Sequence, residues 1–452
     1  MKIRHAVPLL FTSVAGLFFF HSQIAISVDF FARDPGVRGG APDAGGPIFG
    51  LTANQRAFFD QGKDDFEEVE EVADGLGPVM NLDSCGGCHA QPAIGGSSPA
   101  VNPQVAFATK RGADNKLPSF IRLNGPVREA RFVKNPDGTP DGGVHALFTI
   151  QGRDDASGCV LGQPDFATQV ANRNVIFRVP TPVFGAGLIE EITDTTILIN
   201  RSRDSSTKSA LGISGRPNRN GNDGTITRFG WKAQNVSLMV FSGEAYNVEM
   251  GITNELFQNE RDQTPSCSQF ATVPNDVQNT DAAVNAATRL AAILASNNGV
   301  TNFANFQRFL APPKPDPDSP GGSASIGRGK SLFSSVGCAL CHTPSMRTGN
   351  ATVEALRFQT ANLYSDLLIH DMGVGLADNV SQGAATGREF RTAPLWGLGQ
   401  RIFFLHDGRT DDLKDAIQAH SSTGSEANQV VSRFNGLGEF QKQDLLNFLR
   451  SL

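Results

Sequence analysis

Two stretches of the chain place apolar residues at the spacing of a helix's buried face, and both lead into the same short motif. In the first, Thr52 and Gln55 form a T-x-x-Q capping box that predicts a helix start. Phe58, Phe59, Gly62, Phe66 and Val69 then recur on one face, upstream of Cys85. In the second, Ile326, Gly329, Phe333 and Val336 repeat the pattern and run into Cys338. Leu413, Ala416, Ile417 and His420 share a third helical face, with Thr410 expected as N-cap and Asp411 and Asp412 in the first turn. An Ala- and Leu-rich helix is expected over 281–295.

The chain between these helices has a different texture. Segments 174–178 and 195–200 are short and β-prone, set off by Gly, Asn and Asp turns. Residues 28–50 are rich in Gly and Pro, and 311–325 (APPKPDPDSPGGSAS) reads as a linker. At the start, Lys2 and Arg4 precede an apolar run over 7–20 and the small residues Ala25-Ile26-Ser27. That order predicts a secretory signal over 1–27. The run is short, and broken by Pro8 and Gly16, for a membrane span, which leaves an uncleaved anchor as the alternative to a cleaved signal. The protein is therefore expected to be exported, periplasmic in a bacterium, and off the membrane once the signal is cleaved.

Composition narrows the class. With 452 residues, 39% hydrophobic and 19% charged, and with 48 Gly and 25 Pro, the chain is globular and loop-rich. A net charge of -6 argues against nucleic acid as a partner, because phosphate binding needs a basic face. Phe numbers 32 against two Tyr and two Trp, so the aromatic core is phenylalanine.

The six cysteines carry the chemistry. Four fall in two copies of C-x-x-C-H, Cys85-Gly86-Gly87-Cys88-His89 and Cys338-Ala339-Leu340-Cys341-His342. This is the attachment signature of c-type haem: each thiol adds to one porphyrin vinyl group, and the adjacent His lies under the iron. Zinc would need four converging ligands, and a redox dithiol leaves each His unexplained. Two covalently bound c-type haems are expected, one per domain. Cys159 and Cys267 remain, as a disulfide in an oxidising compartment or as two buried thiols. The fold class is mainly α, two cytochrome c-like haem domains with an irregular, partly β insertion. The expected division is a first haem domain over 28–160, the insertion over 161–310 packing on the first haem, the linker over 311–325 and a second haem domain over 326–452.

An iron with protein ligands on both faces transfers electrons, whereas one with an open face can bind a small molecule. His420 is the candidate second ligand opposite His342, with His406, His370, Met346 and Met372 as competitors. For the first haem, Met80 is too close to Cys85 to reach the other porphyrin face. His145, the only His between His89 and His342, stands as a distal ligand, a distal-pocket acid–base group, or a packed residue.

These residues resemble the di-haem oxidoreductase family, whose members are also labelled thiol oxidoreductases and are related to bacterial di-haem cytochrome c peroxidases. The likeness spans nearly the whole mature chain. Its most specific stretches are GISGRPNR (212–219), RFGWKAQ (228–234), NVEMGIT (247–253), YSDLLIHDMGVGLAD (364–378), GREFRTAPLWGLG (387–399) and FLHDGRTDDLKDAIQAH (404–420). In the related peroxidases the helix after the HDG-type motif supplies the distal ligand of the C-terminal haem, a position that falls on His420. Their N-terminal haem is the peroxidatic one. The distal His that follows its attachment motif has no counterpart here, which favours an open site. Asn218, Asn220, Asn222 and Asp223 imitate a calcium loop only loosely, and no calcium is expected. Trp231 and Trp396 stand either as electron relays or as core packing, and Arg391 either as a haem-propionate partner or as a surface residue.

The resemblance implies an oxidoreductase in which the first haem reduces peroxide or a similar small oxidant and the second exchanges electrons with it. A small cytochrome c or cupredoxin would be the redox partner. Rival readings are an electron-transfer cytochrome without catalysis, an oxygenase acting on an organic substrate as in the related rubber-cleaving di-haem enzymes, and long-range oxidation of a partner protein's side chains.

Overall fold

Helix α1 (Ala53–Glu67) starts where the capping box places it. The Thr52 hydroxyl accepts from the Gln55 N–H, and the Gln55 carboxamide accepts from the Thr52 N–H. Phe59, Gly62 and Phe66 form its buried face, while Val69 falls beyond the helix end and is half exposed. The computed structural model describes residues 30–254, 256–259, 265–267 and 299–452. The expected signal over 1–27 and the expected helix over 281–295 lie outside these.

Residues that follow the first motif build a small antiparallel sheet. Strand β1 (Glu129–Phe132) lies between β2 (Val144–His145) and β3 (Val175–Arg178), with Glu129 opposite Arg178 and Ala130 opposite both Phe177 and His145. The segment 174–178 is thus a strand, as expected. The segment 195–200 is not. It lies inside helix α2 (Asp194–Ser202), because the Thr193 hydroxyl caps the Thr196 N–H and Asp194 adds an acid to the first turn. That cap and the burial of Ile197 outweigh the β-branched run.

Helix α3 (Leu238–Met250) starts at Ser237, whose hydroxyl accepts from Val240. Helix α4 (Gly299–Phe309) crosses α1 at Gly62, where an added Cβ would lie 2.2 Å from the Asn302 carbonyl oxygen. Helix α5 (Ser323–Val336) takes the last residues of the expected linker. It crosses α7 (Glu439–Ser451) at Gly329, where an added Cβ would lie 2.0 Å from the Asp444 carbonyl oxygen. Each pre-motif helix therefore meets a later helix through a glycine that lets the backbones touch. Helix α6 (Leu413–Ala419) lies between, and strands β4 (Ile369–Asp371) and β5 (Glu389–Arg391) pair antiparallel. Helix predominates over strand.

Two apolar clusters organise the unit Ala32–Leu452. The larger gathers Phe59, Phe66, Phe303 and Phe306 around the first motif, and the smaller gathers Phe333, Phe434, Leu446 and Phe448 around the second. Packing crosses the sequence position of the linker in both directions. Met346, Leu363, Leu368 and Trp396 join the larger cluster, while Ala32 joins the smaller and Asp34 pairs with buried Arg450. Cys159 and Cys267 are joined as a disulfide. Among the described residues no helix is long and apolar enough to cross a membrane.

Candidate functional site

Each C-x-x-C-H motif opens on its own cavity. At the first, Cys85–Cys88 make one helical turn, and the His89 N–H closes it on the Cys85 carbonyl. Both thiols and the imidazole then border one cavity. His89 Nδ1 lies 2.9 Å from the Gly96 carbonyl oxygen. A carbonyl only accepts, so Nδ1 carries the proton and Nε2 keeps its lone pair. Burial brings the His89 pKa down to about 4, which leaves the neutral imidazole that a metal requires.

The opposite residues of this wall come from the sheet and from α3. Glu129, Arg131 and Arg178 reach the cavity because alternate strand residues share a face and Glu129 pairs with Arg178. From α3 come Tyr246, whose hydroxyl donates to Glu70 at 2.6 Å, and Glu249. Burial, with the Glu129 and Glu244 carboxylates nearby, holds the Glu249 carboxyl well above the usual carboxylate range, against the opposing pull of Arg131.

The second cavity is bordered by Cys338, Cys341, His342 and His420. The His342 N–H closes the Cys338 turn, and His342 Nδ1 lies 3.0 Å from the Tyr364 carbonyl oxygen. Burial, helped by the nearby His420, lowers the His342 pKa to about 4. His420 follows the last residue of α6, and its Nδ1 lies 2.7 Å from the Ala416 carbonyl oxygen. Burial lowers its pKa as well. Both imidazoles are therefore neutral, pinned through Nδ1, and free at Nε2 on the same cavity. The N-cap of α6 is Asp412, which accepts from the Lys414 and Asp415 N–H groups, and not Thr410. Thr410 instead accepts from the Asp412 N–H, so the helix begins two residues later than the sequence pattern implied.

The other expected residues divide clearly. His370, His406 and Met372 border the second cavity, but Met346 lies in the larger apolar cluster. His370 is held between Asp366 at 3.0 Å and Glu426 at 2.7 Å, and His406 stacks on Phe390 at 4.3 Å. Arg391 is buried, not on the surface. It and Arg401 face the second cavity with no carboxylate partner among the described residues. His145 is not brought to the first cavity. It pairs with Ala130, on the face of the sheet away from Glu129 and Arg131, where it stacks on Phe132 at 3.7 Å and meets Asp141 at 2.5 Å. Trp396 is packed in the larger cluster against Gly185. Trp231 borders both cavities, its Nε1 donating to the Val179 carbonyl at 3.0 Å. Asn220 and Asp223 accept from nearby backbone N–H groups of their own loop.

Glu249, Tyr246, Glu70 and Arg401 were not singled out in the sequence. Glu249 does lie within the NVEMGIT run, but only the fold shows which of its side chains meets a cavity.

A family described as "Di-haem oxidoreductase, putative peroxidase" matches residues 132–452. The chain belongs to that family. Solved structures similar in part include the Kuenenia stuttgartiensis hydrazine synthase, at 20% identity over 37% of this chain and 62% of that one, with a TM-score of 0.23. A MauG-like protein associated with microbial copper homeostasis shows 17% identity over 60% of this chain and 90% of that one, with a TM-score of 0.31. The di-haem peroxidase BthA from Burkholderia thailandensis E264 shows 15% identity over 50% of this chain and 65% of that one, with a TM-score of 0.28. This chain thus spans under two thirds of the first and last of these. No curated protein matches the sequence. The family assignment rests on residues 132–452 alone.

A di-haem oxidoreductase needs two haem sites, and the residues present suit two. Each cavity offers paired thiols beside a neutral imidazole free at Nε2. In the second, the guanidinium groups of buried Arg391 and half-buried Arg401, without counter-charges among the described residues, suit an anion, since an unpaired buried charge is costly. The haem carboxylates have that chemistry.

Proposed function

We propose that this di-haem oxidoreductase is an exported enzyme that reduces peroxide or a similar small oxidant at its first cavity with electrons received through its second. The reading divides the chain into the signal (1–27), a first haem domain (28–160), the insertion (161–310), the linker (311–325) and a second haem domain (326–452). Cys85, Cys88 and His89 would hold one haem covalently, and Cys338, Cys341, His342 and His420 the other. A small cytochrome c or cupredoxin would deliver the electrons, in the periplasm.

The observation that carries the reading is the asymmetry of the two cavities. In the second, His342 and His420 both present Nε2, so an iron between them would be closed on both faces. Among the described residues bordering the first, His89 is the only His and no Met joins it. What that cavity offers instead is Glu249, a carboxyl kept protonated by its surroundings. A haem bound there supplies an iron able to take a small oxidant. Its Gly96 carbonyl contact fixes the His89 ring and strengthens it as a donor. Glu249 holds a proton that can pass to an oxygen leaving as water, and the sheet and α3 keep bulk solvent from the carboxyl.

The test is the optical and EPR spectrum of the oxidised protein before and after hydrogen peroxide. One high-spin signal that changes with peroxide beside one low-spin signal that does not supports the proposal. Two low-spin signals unmoved by peroxide would replace it with an electron carrier, and a high-spin signal indifferent to peroxide would redirect it to dioxygen and organic substrates.

A further inference from the structure

Tyr246, on the wall of the first cavity, forms a buried pair with Glu70 behind it that the chemistry above leaves unused. Tyr246 is 5% exposed and Glu70 7%. The phenol donates to the carboxylate at 2.6 Å. Phe303 holds the ring edge-on at 4.9 Å between centroids, and an added Cβ at Gly299 would come within 3.1 Å of it. The Glu70 N–H bonds the Asp83 carbonyl, two residues before Cys85, so the carboxylate is tied to the loop that carries the first motif.

The chain has one other tyrosine, and its setting differs. Tyr364 packs with Phe333 and Phe448, and its hydroxyl has no carboxylate partner among the described residues. Removing an electron from a phenol makes its proton strongly acidic. Inside a protein wall the oxidised ring can persist only if a base takes that proton, because a buried radical cation would bear the full desolvation penalty of an ion. Glu70 Oε1 is placed to be that base.

We propose that Tyr246, with Glu70 as its proton acceptor, is a redox-active tyrosine that can give an electron to the oxidised prosthetic group of the first cavity. The proposal rests on that cavity reducing peroxide. Hydrogen peroxide takes two electrons and two protons to form two waters. When the prosthetic groups of the two cavities supply only one electron, Tyr246 supplies the other: its O–H bond breaks, the electron leaves for the first cavity and the proton moves to Glu70 Oε1, while Glu249 and solvent supply the two protons of the waters. A neutral phenoxyl radical and a neutral carboxylic acid remain. An electron from the redox partner, with the proton returned by Glu70, restores the pair.

The experiment uses the holoprotein grown with ring-deuterated tyrosine, mixed with hydrogen peroxide without a donor and frozen for EPR, with peroxide consumption measured on the same sample. The expected result is an organic-radical signal whose splitting narrows on deuteration, is kept by Tyr364→Phe and is lost in Tyr246→Phe. Glu70→Gln is expected to slow its formation roughly a hundredfold, as for loss of a positioned base. A sample that consumes peroxide but gives no tyrosine signal, or gives one that survives Tyr246→Phe, overturns the pair and leaves the peroxide reading intact. A sample that consumes no peroxide overturns the peroxide reading. The one-electron oxidant hexachloroiridate(IV) then tests the pair directly: a radical lost in Tyr246→Phe supports it, and none overturns it.

Discussion

A carboxyl kept protonated by burial and by two neighbouring carboxylates can give up its proton at a pH where an exposed glutamate has none to give. Glu249 is in that position at the first cavity. Because its pKa is raised, the proton is present below that value and lost as pH climbs through it, so peroxide reduction is expected to fall on an alkaline limb. Glu249→Gln should lower the rate roughly a hundredfold, the usual worth of a positioned acid. It should also abolish that limb, while leaving both haem spectra of the resting protein in place. A limb that persists in the variant would assign the proton to another group. The contrast with His145 shows what single residues disclose. The Cys and His of the two motifs were legible because their chemistry depends on spacing within five positions. Glu249 was not, because its proton affinity depends on burial and on Glu129 from β1, which only the fold brings about. His145 looked available in the sequence, yet strand alternation turns it to the other face of the sheet.

Helices α1 and α5 repeat one design: a glycine and a phenylalanine on the buried face, a partner helix crossing at the glycine, and a motif beyond the C-terminal end. An exposed helical Gly→Ala change stabilises by about 1 kcal/mol through propensity alone. At Gly329 the sign should reverse. The new Cβ would meet the Asp444 carbonyl oxygen at 2.0 Å and the Phe448 Cβ at 2.6 Å, and both belong to packed α7. Overpacking of this kind costs about 1–3 kcal/mol. Gly329→Ala should therefore lower Tm, measured by calorimetry, and disturb the low-spin signal assigned to the second cavity before the high-spin one. A variant more stable than the parent would show that α5 and α7 can part without loss. Both glycines and phenylalanines were readable as helical periodicity, because one face of each helix is apolar and the other is not. Helix α2 was not readable, since Thr193 caps a run whose Thr and Ile content suits a strand. The start of α6 was displaced by two residues for a related reason: Thr410, Asp411 and Asp412 are all plausible caps, and only the hydrogen bonds of Asp412 decide among them.

On the scale of the whole molecule, the two apolar clusters are separate, but the wall between the cavities is shared. Trp231 supplies that wall. Its carbonyl accepts the Arg391 N–H from β5, its Nε1 donates to Val179 beyond β3, and the next residue is anchored deeply. Lys232 is fully buried and donates to the Thr386 and Glu389 carbonyls, with Asp378 at 3.0 Å. The sequence presented two tryptophans as equivalent candidates, and nothing in their spacing separates them. The difference comes from long-range packing, which seats Trp396 in the larger cluster and holds Trp231 where both cavities meet. An indole fixed in that wall is suited to carrying electrons between the prosthetic groups of the two cavities. Trp231→Phe keeps an aromatic ring but removes the Nε1 donor and leaves a ring that is harder to oxidise. Peroxide reduction driven by an external electron donor should then fall by roughly tenfold, an added barrier of about 1.4 kcal/mol. The spectral change on adding peroxide to the resting protein should persist, because that step needs only the first cavity. Stopped-flow mixing of the donor-reduced protein with peroxide separates the two effects. If the donor-driven rate is unchanged in the variant, electrons cross by another route and Trp231 is wall alone.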